Sequence, residues 1–182
     1  MADTRDICVV DVETSGLDPL RHRVIEVAAV RLTHDLREVD AFESRVFLAP
    51  SDFIRAEAEA LAINGYDRER WRDAPRFGEI AGRLRGLLDG SVAGGWNVWF
   101  DLSFLLAEFA RAGTTDPRIA RHRIDVSSLA WLLPLPKHGL REACDFFGIS
   151  NDGAHSAMAD VRRTIAVMGA IRERAAFAGP CG

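Results

Sequence analysis

The chain predicts an α/β fold in which a mixed five-stranded sheet, an antiparallel meander followed by parallel strands, is flanked by helices. Two observations predict it. Three apolar, largely β-branched segments joined by short connections fill roughly the first 48 residues, which is the pattern of a meander. Beyond them, helical stretches alternate with short apolar runs, as in sheets covered by helices. With 182 residues, 48% of them hydrophobic, the composition supports one domain with a proper core. Residues 1–175 are expected to form it, with 176–182 as a flexible tail.

The first strand is Ile7–Val10, an apolar run broken after Glu13 by Gly16 and Asp18-Pro19. Residues 24–33 read as a second strand and 39–48 as a third. Pro50-Ser51-Asp52 reads as a helix start with Ser51 as cap, continuing to Ile63 and ended by Asn64-Gly65. A helix over Arg76 to Asp89 places Ile80, Leu84, Leu87 and Leu88 on one side. Residues 91–97 form a short buried strand, a helix covers Trp99 to Ala112, and Ile124–Val126 is a fifth strand. Pro134-Leu135-Pro136 marks a loop, and helices cover Gly139–Phe147 and Ser156–Arg174. Trp96, Trp99 and Trp131 could stack on bases, although packing is the commoner fate of tryptophan.

Charge and cysteine usage narrow the function. A net charge of −4 means that a polyanionic partner has to be attracted locally or through bound metal. Lys137 is the only lysine. Arginine suits bidentate phosphate contacts, but compositional bias of the source genome is the better explanation of that preference. Three scattered cysteines, Cys8, Cys144 and Cys181, argue against a disulfide framework and for a reducing, cytoplasmic setting. No run is long and apolar enough for a membrane span, and the acidic N-terminus is not a secretory signal.

The acids are the informative residues. Asp11 and Glu13 lie two apart along a strand, so both carboxylates point to the same side. They are either solvated acids at a strand end or ligands of a hard divalent cation. On a helical wheel, Leu102, Leu105, Leu106, Phe109 and Ala112 share an arc of about 120°, with Asp101 at its border. Asp160 falls inside the apolar arc of Ala157, Val161, Thr164, Ile165, Val167, Met168 and Ile171. A buried acid there needs a partner. Arg162 and Arg163 fall outside the arc, leaving an arginine from another element or a metal. His155 sits at the start of the same helix, after Asn151-Asp152-Gly153.

Asp11-Val12-Glu13-Thr14-Ser15-Gly16-Leu17, Asn97-Val98-Trp99-Phe100-Asp101, Arg123-Ile124-Asp125-Val126 and His155-Ser156-Ala157-Met158-Ala159-Asp160 occur in that order. Together they resemble the motifs of the DEDDh family of 3′→5′ exonucleases, which includes proofreading subunits of bacterial DNA polymerase. The resemblance spans about Asp6 to Arg174 and implies a ribonuclease H-like fold. It implies that Asp11, Glu13, Asp101 and Asp160 hold two Mg²⁺ or Mn²⁺ ions, Asp101 partly through water. It further implies that His155 is the general base and that Val12, Thr14, Gly16 and Leu17 cradle the terminal nucleotide. Leu17 would wedge against its base. Asn97 and Phe100 would contact the next nucleotide. Ile63 and Asn64 stand at the family's His-Gly segment, with Asn64 in the place of a common histidine. Asp125 is not expected to be a ligand.

The implied activity is hydrolysis of phosphodiester bonds from single-stranded 3′ ends, releasing nucleoside 5′-monophosphates. DNA is the expected substrate, by a stand-alone enzyme or within a polymerase or repair complex. The chain stops soon after Arg174 without the tail that tethers proofreading subunits, which favours the stand-alone form. RNA-trimming relatives share the same residues and remain the alternative. An inactive nucleic-acid-binding copy is disfavoured because every acid is intact, and a ribonuclease H-type endonuclease because of His155. Oligomeric state is left open.

Overall fold

A computed structural model describes residues 4–152 and 156–177. Eight residues, Ile7–Thr14, form strand β1. It pairs antiparallel with β2 (Val24–Leu32), which pairs antiparallel with β3 (Glu38–Arg45). Two short helices follow, α1 (Pro50–Phe53) and α2 (Ala58–Ile63), then α3 (Phe77–Leu88). Strand β4 (Val92–Gly95) returns parallel to β1 and leads into α4 (Val98–Arg111). Strand β5 (Arg123–Asp125) pairs parallel with β4. Three helices complete the described chain: α5 (Val126–Ala130), α6 (Leu140–Phe147) and α7 (Ala157–Phe177).

The sheet order is β3-β2-β1-β4-β5, so β1 lies at its centre. Alternation along β1 divides the core in two. Cys8, Val10 and Val12 face one layer, packed with Leu84, Leu88, Leu105 and Phe109 of α3 and α4. Ile7 and Val9 face the other, packed with Val126, Ala143, Val161 and Met168 of α5, α6 and α7. Burial on both sides explains the continuous apolar run at 7–10. By contrast β3, at an edge, is largely exposed and charged, which blunts it against pairing with another chain. Among the described residues no helix is long and apolar enough to cross a membrane.

Several expectations shift. The first strand runs four residues further than the apolar run, so Asp11 and Glu13 lie on its last stretch, paired with β2 but beyond the pairing with β4. The helix expected over 50–63 is two helices. Pro50 takes the first helical position, and Ser51 is inside the helix rather than its cap. The break follows from a cross-link, in which the Glu57 N–H donates to the Ser15 carbonyl at 2.8 Å. Val126 belongs to α5 instead of a strand, because the Asp125 carboxylate caps that turn. Leu106 points outwards and is 40% exposed, unlike its neighbours on the α4 apolar arc. Trp71 is buried with its indole N–H on the Ile25 carbonyl at 2.7 Å, whereas Trp99 and Trp131 are exposed and Trp131 stacks on His138. Helix α7 ends at Phe177 rather than Arg174.

Phe109 is fully buried and meets Phe77 edge-on, with ring centroids 5.3 Å apart. Phe109→Ala is expected to lower unfolding free energy in urea by about 3–5 kcal/mol. A loss under about 1 kcal/mol would contradict this packing.

Candidate metal centre and nucleotide cradle

Three carboxylates converge at the end of β1. Ligand oxygens of Asp11, Glu13 and Asp160 all lie within 4.8 Å of one another. Asp11 and Glu13 come from alternate positions of the central strand, and Asp160 comes from the first turn of α7. Asp101, from the first turn of α4, stands beside this trio and is 3% exposed. Its Oδ1 accepts the Val12 N–H at 2.9 Å, which crosses from helix to strand and fixes the carboxylate next to Asp11. His155 lies outside the described residues.

The electrostatics are those of a crowded anionic site. Burial, then the charges of Asp101, Glu13 and Asp160, pushes the Asp11 carboxyl well above its ordinary range, against an opposing pull from Arg163. Burial likewise raises Asp101 well above that range despite the Val12 hydrogen bond. Glu13 is pushed up to about 7 by burial and by the nearby charges of Asp160 and Glu26. The donor set is all oxygen, negatively charged and short of counter-charge, which fits hard divalent cations.

Arg163 supplies positive charge beside these carboxylates. Its guanidinium is buried and donates to Asp160 Oδ1 and, at 2.9 Å, to Asn151 Oδ1. This corrects the expectation that Asp160 has no arginine partner on its own helix. The side chain three residues on bends back across the wheel to reach it. Glu26 is a second residue the sequence analysis missed. It lies opposite Glu13 in the β1–β2 register, and its Oε1 accepts the Ala157 N–H at 3.0 Å, anchoring the start of α7. An acid in an otherwise apolar strand was the available signal.

The cradle residues surround the same end of β1. Leu17 is 73% exposed, and Ile63 on α2 is exposed as well. Thr14 is buried and its hydroxyl donates to the Gly16 carbonyl at 2.8 Å. Asn64 ties α2 to the strand, its Nδ2 donating to the Thr14 carbonyl at 2.9 Å. Val12 differs from expectation: its side chain is in the core and its N–H is engaged by Asp101, so it supports the site from behind. Gly16 admits no side chain, because a Cβ there would lie 2.5 Å from the His22 ring. That ring is buried and accepts the Asp18 N–H at Nδ1, 3.0 Å, pinning the loop that presents Leu17. Nothing in the charged run around His22 announces this role.

On the other side, Asn97 adopts a left-handed conformation (φ 61°, ψ 49°) in the two-residue turn between β4 and α4. Asparagine tolerates this geometry better than most residues. Its N–H donates to Asp125 Oδ1 at 3.1 Å, and Asp125 also accepts from the hydroxyls of Ser127 and Ser128. Burial raises the Asp125 carboxyl, but these hydrogen bonds outweigh it and leave it below its ordinary range. Asp125 therefore positions the turn that carries Asn97. Phe100 is half-buried against Phe104, ring centroids 4.9 Å apart.

Residues 8–168 match the RNase T family model, described as exonuclease. The chain belongs to this exonuclease family. It is 32% identical over 176 residues to Ribonuclease T of Marinobacter nauticus, covering 86% of this chain and 77% of that protein. It is 26% identical over 159 residues to the PolC-type DNA polymerase III of Caldanaerobacter subterraneus subsp. tengcongensis, covering 87% of this chain and 11% of the polymerase. Among solved structures, exonuclease I superposes with a TM-score of 0.81 at 24% identity, over 93% of this chain and 41% of that one. Another, Escherichia coli exonuclease I in complex with a dT13 oligonucleotide, gives 0.80 at 23% identity. The chain thus spans a minor part of the polymerase and of exonuclease I, and the structural likeness bears on the ribonuclease H-like fold.

The raised carboxyls predict an inverted pH response of the metal-free protein. Glu13 ionises near 7 when folded against an ordinary 4.5, so its neutral form is favoured by the fold. The stability associated with it is complete below pH 4.5 and is lost as pH rises through about 7. In EDTA, the melting temperature is expected to fall between about pH 5 and 7.5, less so in Glu13→Gln, and Mn²⁺ is expected to restore it. A wild-type melting temperature that is flat or rising across this window would contradict the crowded-carboxylate description.

Proposed function

We propose that the protein is a divalent-metal-dependent 3′→5′ exonuclease that removes nucleoside 5′-monophosphates from single-stranded nucleic acid, with DNA as the principal substrate. The observation that carries this reading is the convergence of Asp11, Glu13 and Asp160 within 4.8 Å at the end of the central strand. Support comes from relatives on both sides of the DNA–RNA divide, Ribonuclease T and the PolC-type DNA polymerase III. Exonuclease I, of the same fold, has been crystallised with oligonucleotides and in a zinc-bound form with single-stranded DNA.

In this reading Asp11, Glu13 and Asp160 hold the metal, and Asp101 acts from beside them through water. Two Mg²⁺ or Mn²⁺ ions held there would supply Lewis-acid stabilisation of the charge that develops during the displacement. The chain's own side chains do the rest. Leu17 presses on the terminal base from a loop pinned by His22, while Asn97 and Phe100 hold the penultimate nucleotide. His155 accepts a proton from the attacking water, whose oxygen bonds to phosphorus as the bond to the 3′ oxygen breaks. Histidine suits this exchange because its ordinary pKa lies near 6.5. Buried thiols at Cys8 and Cys144 favour a reducing, cytoplasmic setting, and the polymerase relatives make a replication or repair complex a reasonable context.

Release of mononucleotides from matched 5′-labelled DNA and RNA oligomers tests the reading. Asp11→Ala and Asp160→Asn are expected to abolish release while the protein stays folded by circular dichroism. His155→Ala is expected to lower kcat by about 10²–10⁴-fold with Mn²⁺ still bound. Leu17→Ala should raise KM more than it lowers kcat. Wild-type turnover by His155→Ala at neutral pH would remove its assignment as base, and faster release from RNA than from DNA would reverse the substrate preference.

A further inference from the structure

Resting on the exonuclease reading above, we infer that Trp99 and Arg123 form a stacking and phosphate-binding site for nucleotides upstream of the 3′ end. Trp99 lies on the first turn of α4 between Asn97 and Phe100, next to the catalytic Asp101. Its indole is 60% exposed, an unusual state for so large an apolar ring on a core helix. The Arg123 guanidinium lies over that ring, 5.7 Å from its centroid. A shallow groove runs beside the pair, lined by Trp99, Leu102, Ser103, Leu106, Ile119 and Arg123.

Charge selects the occupant. The segment 117–124, Pro-Arg-Ile-Ala-Arg-His-Arg-Ile, holds three arginines and a histidine without an acid, in a chain of net charge −4. Among the described residues Arg118, Arg121 and Arg123 make no salt bridge, so no carboxylate competes with a phosphate for them. The Arg123 Nε is buried and has no hydrogen-bond partner among the described residues. The active site itself is crowded with carboxylates, so a strand leaving it gains from cationic anchorage away from them. An exposed indole with a neighbouring guanidinium is the combination that binds single strands without reading sequence, one offering a stacking face and the other a phosphate contact. Trp99 shares the first turn of α4 with Phe100 and Asp101, and the occupant assigned to the groove is therefore the same strand as it leaves the active site.

Fluorescence anisotropy in EDTA separates binding from cleavage. For a 5′-labelled oligothymidylate of about twelve nucleotides, Trp99→Ala should raise Kd about tenfold, with Trp99→Phe recovering most of the loss. Arg123→Ala should flatten the dependence of log Kd on log salt by about 0.7, and Arg123→Lys should restore it. Unchanged Kd and salt slope in both alanine variants would overturn the inference. So would a dimer that Trp99→Ala dissociates without weakening oligonucleotide binding, which would assign the groove to a second copy of the chain. The two readings fail separately. Wild-type protein that releases mononucleotides while Trp99→Ala binds normally loses only this site. Wild-type protein that binds through Trp99 yet releases no mononucleotide loses the exonuclease reading instead.

Discussion

Mutual repulsion among carboxylates at the end of the central strand is the constraint around which the molecule is arranged. Asp11 and Glu13 belong to the central strand and are held by its pairing with β2, just beyond the point where its pairing with β4 stops at Val9. Asp160 and Asp101 approach from helices on opposite layers. Against four acids stands one buried guanidinium, that of Arg163. Burial and mutual repulsion make Asp11, Glu13 and Asp101 resist ionisation, and the site has a standing demand for positive charge. Local stability is given up where chemistry needs it, and two hydrophobic layers compensate elsewhere.

The polar contacts that hold the helices in place are the same ones that aim the carboxylates. The Val12 amide locks Asp101 to β1, Glu26 receives the first amide of α7, and Asp125 holds the turn before α4. Each spans two elements that are distant in sequence and ends within a few residues of an acid. Loops at the rim follow the same logic. His22 packs against Gly16 and holds the Asp18 amide, so the loop bearing exposed Leu17 is anchored by buried parts. A rigid frame with a few exposed side chains suits an enzyme that grips the end of a flexible strand, since less order has to be imposed at each binding event.

Much of this was legible in the sequence because periodicity and punctuation are local. The strands, α3, α4, α6 and α7 fall within a few residues of where apolar spacing puts them, and the alternate placement of Asp11 and Glu13 follows from strand geometry alone. Illegible were features decided by partners far along the chain. The break between α1 and α2 depends on Ser15, and the α5 turn on Asp125. The Arg163 pairing was missed for another reason. A wheel assigns directions to Cβ atoms, whereas a long guanidinium stem reaches well beyond its own sector. Exposure of Trp99 and Trp131 was likewise invisible, since residue type sets only an average tendency to be buried.

Calorimetric titration of Mn²⁺ into the metal-free protein, near pH 6.5 in two buffers of different ionisation enthalpy, tests the central claim most directly. Carboxyls held partly neutral by one another must give up protons as the cation enters. The account predicts saturable binding with an apparent enthalpy that differs between the buffers by an amount reporting net proton release. Binding with no buffer dependence, or no binding at all, would contradict it.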